Sequence, residues 1–148
     1  MFYRFMVLAV TGLLLASCHG YAQTRFDPAH YPRTYKQFDL TLSWRVDRSA
    51  TAYTVEGFAR NTRFASMHDL EITGTLLDGA GKTLSEATFF FFPNQLPMDE
   101  AAPFTLNLPL ASGGTPEKLR FFYRYRAVEG GDRDHKIPYF QSFEVEPR

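Results

Sequence analysis

Four histidines, a single cysteine and a scatter of serines and carboxylates are the side chains here that could serve as nucleophile, base or metal ligand. An α/β-type serine hydrolase carries its nucleophile on a Gly-x-Ser-x-Gly elbow, and the sequence holds no such segment. Carboxylate pairs suited to acid–base work occur at Asp99 and Glu100 and at Asp132 and Asp134. Both pairs are flanked by Gly, Pro or further charge, the setting of solvated turn residues, so no enzyme activity is expected. Metal binding has a thin basis: His68-Asp69 and Asp132-Arg133-Asp134-His135 offer imidazole and oxygen ligands. Their spacing fits no ligand-loop motif and Arg133 would repel a cation, so neither a metal nor another cofactor is expected.

Charge and aromatic content are more informative. Sixteen basic residues balance sixteen acidic ones, which argues against nucleic acid as a partner, because phosphate binding needs a basic footprint. The positive charge that does cluster lies on alternate residues: Lys118, Arg120, Arg124 and Arg126, with Phe122 among them. Glu144 and Glu146 occupy the matching positions of the last apolar segment, so cross-strand pairing on a solvated sheet face is expected. The functional reading of the same residues is an aromatic-centred basic patch for an anionic partner such as lipid head groups or surface polysaccharide. Fifteen phenylalanines are present, four of them consecutive at Phe89-Phe90-Phe91-Phe92. A half-exposed strand turns only alternate residues inward, which leaves Phe90 and Phe92 outside, and Phe122 and Phe140 share that outward parity in their own segments. Contiguous exposed aromatics mark interfaces. The candidate interface is therefore Phe90, Phe92 and Phe122 with Arg120, Arg124 and Arg126.

The N-terminus reads as a targeting device. Arg4 is followed by a run of about a dozen apolar residues ending in small ones, as in a secretory signal peptide. The run is too short for a membrane span, which needs about 20 apolar residues. Leu15-Ala16-Ser17-Cys18, on the chain's one cysteine, resembles the lipobox of bacterial lipoproteins. That resemblance implies cleavage before Cys18, a diacylglycerol on its thiol and acylation of the new amino group. Several acyl chains anchor a protein stably where one does not. His19 after the cysteine, by resemblance to enteric lipoproteins, implies passage to the outer membrane, facing the periplasm. Residues 1–17 are thus the expected signal peptide and residues 18–36 a tether, which fully extended reaches on the order of 60 Å. Phe26 and Tyr31, each near a proline, are placed to pack back on the domain instead.

From residue 37 the pattern becomes period two. Phe38, Leu40, Leu42, Trp44 and Val46 alternate with polar residues, the mark of a half-buried strand. Six further segments follow: 52–60, 69–78, 82–92, 104–109, 119–127 and 137–145. Asp78-Gly79-Ala80-Gly81 supplies a tight turn, and Gly57 a close approach between backbones. Seven short strands separated by Gly, Pro, Asn and Asp predict an all-β, antiparallel, Ig-like or fibronectin-III-like sandwich over residues 37–148, with a small barrel as the alternative. Val55-Glu56-Gly57-Phe58-Ala59-Arg60-Asn61, Leu76-Leu77-Asp78-Gly79-Ala80-Gly81 and Phe104-Thr105-Leu106 resemble FxLYD-type domains of prokaryotic surface proteins, Ig-like sandwiches often found on lipoproteins. The chain departs from that family at its signature, where Gly74-Thr75-Leu76-Leu77-Asp78 lacks the Phe and the Tyr. The resemblance implies a fold and no catalytic residues.

The expectation is a lipid-anchored envelope lipoprotein, held to membrane lipid through acylated Cys18, whose sandwich is a non-catalytic module for another envelope protein. The alternative is a periplasmic ligand- or metal-binding protein using His68, Asp132, Asp134 and His135. With strand one opening the sandwich, the tether would arrive at the end carrying loops 61–68, 93–101 and 128–136, turning them to the membrane.

Overall fold

Alternating apolar residues need a second layer to cover their inward face, and the chain supplies it as two packed antiparallel sheets. The computed structural model describes residues 26–110, 114–128 and 136–148. Its strands are β1 (Arg33–Lys36), β2 (Leu40–Arg48), β3 (Ala52–Asn61), β4 (Met67–Leu77), β5 (Thr83–Phe90), β6 (Gln95–Leu96), β7 (Ala101–Pro109), β8 (Lys118–Val128) and β9 (Lys136–Val145). Sheet A has the order β1-β2-β3-β7; sheet B has β5-β4-β8-β9, with β6 paired to the start of β4. This is the expected Ig-like or fibronectin-III-like sandwich, and all seven expected strands are in it. Among the described residues, the single helical element is the 3-10 turn Pro28–His30.

Two strands are additional. Arg33–Lys36, expected as tether, form β1 against β2, so the domain begins before residue 37. The physical reason is Tyr35, whose ring stacks on Phe143 of β9 at 3.6 Å between centroids, while Arg33 donates to the Glu146 carbonyl at 2.6 Å. These contacts close one side of the sandwich by linking the outer strand of each sheet. Ahead of β1, Phe26 and Tyr31 pack on Phe58, with centroids 5.0 and 5.2 Å away. Phe58 points out of sheet A yet is buried, because the chain's own leading segment covers it. The leading chain also runs along β2 before the hairpin, so it does not enter the sandwich directly at the loop end as expected.

The core follows the alternation with one exception. Leu40, Leu42 and Trp44 are buried as expected, but Phe38 is 72% exposed. Residues 37–39 form the reversal between β1 and β2, closed by the Gln37 amide donating to the Leu40 carbonyl, and this turn sends Asp39 inward instead. In β4 a bulge between His68 and Glu71 resets the parity, with Asp69 in the left-handed region at φ 52°. Met67 can then face the core together with Leu70, Ile72 and Leu76. At the β4–β5 turn Asp78 Oδ1 accepts from the Ala80 and Lys82 amides, both at 2.9 Å, while Gly81 takes φ 80°.

Gly57 allows the closest packing. A Cβ there would collide with the Ser43 carbonyl oxygen and lie 2.8 Å from the Phe104 ring, neither of which can move without breaking the sheet or the core. Gly57→Ala is therefore expected to destabilise the domain by about 1–3 kcal/mol, the usual range for overpacking. Thermal denaturation followed by circular dichroism should show a loss of roughly 5–15 °C in Tm. A Tm unchanged within error would mean that the two strands are not held at this separation.

Candidate functional site

The outer face of sheet B is built by registered rows across its strands. One row runs Phe90, Glu71, Arg124, Phe140 from β5 to β9; the next runs Thr88, Thr73, Phe122, Ser142; a third runs Glu86, Thr75, Arg120, Glu144. Lys118 Nζ lies 3.0 Å from Glu144, and Arg120 reaches the same carboxylate at 2.7 Å. Arg124 pairs with Glu71 and Arg126 with Asp69. The last two cations find their carboxylates on β4, because β8 is a central strand with a neighbour on each side. Glu146 takes no part, its carboxylate lying 3.4 Å from Arg148. The electrostatics agree: hydrogen bonds from Arg120 and Lys118 hold the Glu144 carboxyl below its ordinary range, and Arg126 does the same for Asp69. Glu86 accepts from the Thr75 hydroxyl at 3.0 Å, so the four cations of β8 share three carboxylates, Glu144, Glu71 and Asp69. Each cation of the basic strip is therefore already paired, which weakens the anionic-partner reading.

What remains on this face is aromatic. Phe89 and Phe91 turn inward, their rings 5.0 Å apart, while Phe90 is 69% and Phe140 75% exposed. Phe122 is half-buried beside Phe140, with centroids 6.4 Å apart. A shallow depression runs along this pair, edged by Arg124, Arg126 and Pro138. Phe90 stands on the far side of the Glu71–Arg124 pair. Phe92 is not part of the face: it lies beyond β5 at the loop end, before the cis Phe92–Pro93 peptide.

That loop end is organised by a buried polar cluster that the sequence reading missed. Asp39 is 4% exposed and accepts hydrogen bonds from the Tyr123 and Tyr125 hydroxyls at 3.2 and 2.7 Å. Arg63 donates to Tyr125 at 3.2 Å and to Tyr139 at 2.7 Å, and its guanidinium lies over the Tyr139 ring. Fully buried Asn61 donates to the Ala65 and Leu96 carbonyls and accepts from the Arg63 amide, fixing the β3–β4 loop against β6. One signal for the cluster was available: Tyr123 and Tyr125 share the inward parity of β8, and buried hydroxyls need acceptors.

The remaining candidates separate. His68 sits on β4 opposite Arg126, and burial, aided by Lys136 and Arg126, pushes its imidazole below the ordinary histidine value. Its neighbour Asp69 is committed to Arg126. Asp132, Asp134 and His135 lie outside the described residues, as does Cys18. Among the described residues there is no cluster of three His, Cys, Asp or Glu side chains placed to hold a metal ion. Asp99 takes a left-handed turn conformation at φ 62° with Arg60 3.5 Å away, and the Glu100 carbonyl accepts from the Asn61 amide. Among the described residues no helix is long and apolar enough to cross a membrane. No known family matches the chain, and no curated protein matches it in sequence.

Burial, followed by the nearby Asp39 carboxylate, pushes both Tyr123 and Tyr125 hydroxyls above the ordinary tyrosine value of 10.0. They stay protonated in the folded state where the unfolded chain would ionise. Their contribution to stability is thus present below about pH 10 and is lost as the pH rises beyond it. The urea midpoint should fall on the alkaline side of about pH 10, and Tyr123→Phe should make that fall shallower while lowering stability at neutral pH by about 1 kcal/mol. An unchanged alkaline slope in the variant would remove Tyr123 from the cluster.

Proposed function

We propose that this chain is a lipid-anchored cell-envelope protein whose sandwich is a non-catalytic interaction module. Cleavage before Cys18 leaves that residue to carry the lipid, and the domain faces the periplasm from the outer membrane. The outer face of sheet B takes another envelope protein. The single observation that supports the module is the exposure of Phe90 and Phe140, with Phe122 beside Phe140, on a face whose cations are already paired with carboxylates. Exposed aromatics of that kind anchor interfaces through desolvated apolar contact. The ion pairs between them set where a partner's own polar groups are tolerated. A partner suited to this face carries apolar side chains in a surface of low net charge. The lipobox-like Leu15-Ala16-Ser17-Cys18 supports the anchoring half of the reading.

In-cell crosslinking of the tagged, full-length protein, followed by mass spectrometry of co-purifying proteins, tests the interaction. One abundant envelope protein is expected, with capture reduced at least about tenfold in Phe90→Ser/Phe122→Ser, as befits loss of aromatic anchors. The variant must retain the wild-type melting profile. Equal capture by the variant would take the partner off this face. Cys18→Ala should leave the chain unprocessed or soluble, and fractionation with membranes at the mature size would end the lipid-anchor reading.

A further inference from the structure

Large exposed apolar side chains are distributed unevenly between the two ends of the sandwich. Among the described residues they are Phe38, Phe64, Phe90, Phe92, Met98 and Phe140. Phe90 and Phe140 belong to the face of sheet B. The other four all lie at one end, on four separate connections: Phe38 between β1 and β2, Phe64 between β3 and β4, Phe92 between β5 and β6, and Met98 between β6 and β7. None lies in the described connections of the opposite end, where the chain passes through Ser49-Ala50-Thr51, Asp78-Gly79-Ala80-Gly81 and Gly114-Thr115-Pro116-Glu117. Phe64 is 97% and Phe92 89% exposed, so these side chains are not edges of the core. They are also held in place from beneath, since Asn61 and Asp39 fix the loops that carry Phe64 and Phe38.

We propose that this end inserts Phe38, Phe64, Phe92 and Met98 into the head-group and upper acyl region of a lipid bilayer. The inference rests on the lipid-anchor reading above and extends it from attachment to orientation. The length of chain ahead of the fold carries the argument. Phe26 lines a hollow together with Phe38, Arg60 and Thr62, on the flank of this same end. Seven residues lie between it and Cys18, eight Cα-to-Cα steps with a reach of at most about 28 Å. An acylated Cys18 therefore keeps this end within one short span of the membrane. The reach left by the packed segment 26–36 is about half of what a free tether from 18 to 36 would allow.

The chemistry of the end suits a lipid surface. Aromatic and thioether side chains on separate loops enter a fluid medium without needing a shaped counterpart, in the manner of interfacial apolar residues that sink about 5–10 Å. Lys36 and Arg60 stand on the same flank as Asp99, which lies 3.5 Å from Arg60. The mixed charge favours zwitterionic head groups over a strongly anionic surface. Arg63 lies 5.8 Å from the Phe38 ring centroid, an apolar stem topped by a charged group at the level where head groups begin.

Cys18 is the one native cysteine, so an introduced cysteine in the acylated protein is the single free thiol available for labelling. The experiment uses full-length protein, processed in cells and placed in vesicles of zwitterionic phospholipid containing lipid-attached quencher. An environment-sensitive dye is attached at Phe64→Cys or, at the opposite end, at Ala80→Cys. Quenching at position 64 is expected to exceed that at position 80 at least about threefold, and Phe38→Ser/Met98→Ser should reduce it toward the level at 80. Equal quenching at both ends of an acylated protein would overturn the orientation and leave the proposed function standing. Quenching at 64 unchanged by Phe38→Ser/Met98→Ser would overturn insertion. A blue shift at 64 that appears only when envelope protein is added would assign the end to a protein instead. The intact mass of the labelled protein separates the two readings, because absence of acyl groups on Cys18 would defeat the lipid-anchor proposal itself.

Discussion

A carboxylate buried at the mouth of an apolar sandwich needs hydrogen bonds in fixed places, and Asp39 obtains them from Tyr123 and Tyr125 across the gap between the sheets. Most of the geometry at that end follows. The two tyrosines are neighbours on one face of β8, so satisfying both fixes how sheet B lies over the start of β2. Asp39 occupies the reversal between β1 and β2, and turning it inward turns Phe38 outward. Arg63 then donates to the Tyr125 hydroxyl and lies over the Tyr139 ring, and the β3–β4 loop is drawn across the opening. Removing the carboxylate would leave two hydroxyls buried without their acceptor, which costs more than the hydrogen bonds themselves contribute.

The exterior of the domain is correspondingly divided. Sheet A presents an aromatic spot, Phe58, which the leading chain covers with Phe26 and Tyr31. Sheet B presents Phe90 and Phe140, which nothing in the described chain covers. One end carries apolar loop tips above a tightly hydrogen-bonded floor, and the opposite end carries small and polar turns. These are different solutions to one excess of phenylalanine, and they give the module a front, a back and a base. A face standing clear of the base remains open sideways to a partner when the base is occupied.

Much of the fold was legible because period-two alternation is a direct readout of which face is buried. Leu40, Leu42 and Trp44 are inward for that reason, and the same parity correctly divides Phe89 and Phe91 from Phe90 and Phe92. The pattern fails where the backbone leaves the regular strand. Phe38 continues the alternation by letter yet belongs to a turn. Asp69 adopts a positive φ in a bulge, which lets a residue of β4 reach Arg126 where pairing toward β9 was expected. Strands β1 and β6, at four and two residues, are too short for any period to register. Parity alone turned Phe90 and Phe122 outward, but it also placed Phe92 on a face that β5 leaves at Phe90, and it could not supply the row order that sets Glu71 and Arg124 between Phe90 and Phe140. Of the Asp39 cluster only the inward parity of Tyr123 and Tyr125 was legible, since joining residues more than eighty positions apart requires knowing the strand order first.

The three-ring clasp of Phe26, Tyr31 and Phe58 bears on how this protein can be cut. A fragment trimmed where the composition changes, at Gln37, would lose the clasp and β1 together. Phe58 would be laid bare, and β2 would become a nine-residue outer strand with unpaired amides and carbonyls along its length. Such an edge is a template for another chain, and an aromatic spot beside it adds adhesion. The leading segment thus serves as a sheath for β2 and Phe58. Keeping residues 26–36 keeps both the edge of β2 and the Phe58 ring covered.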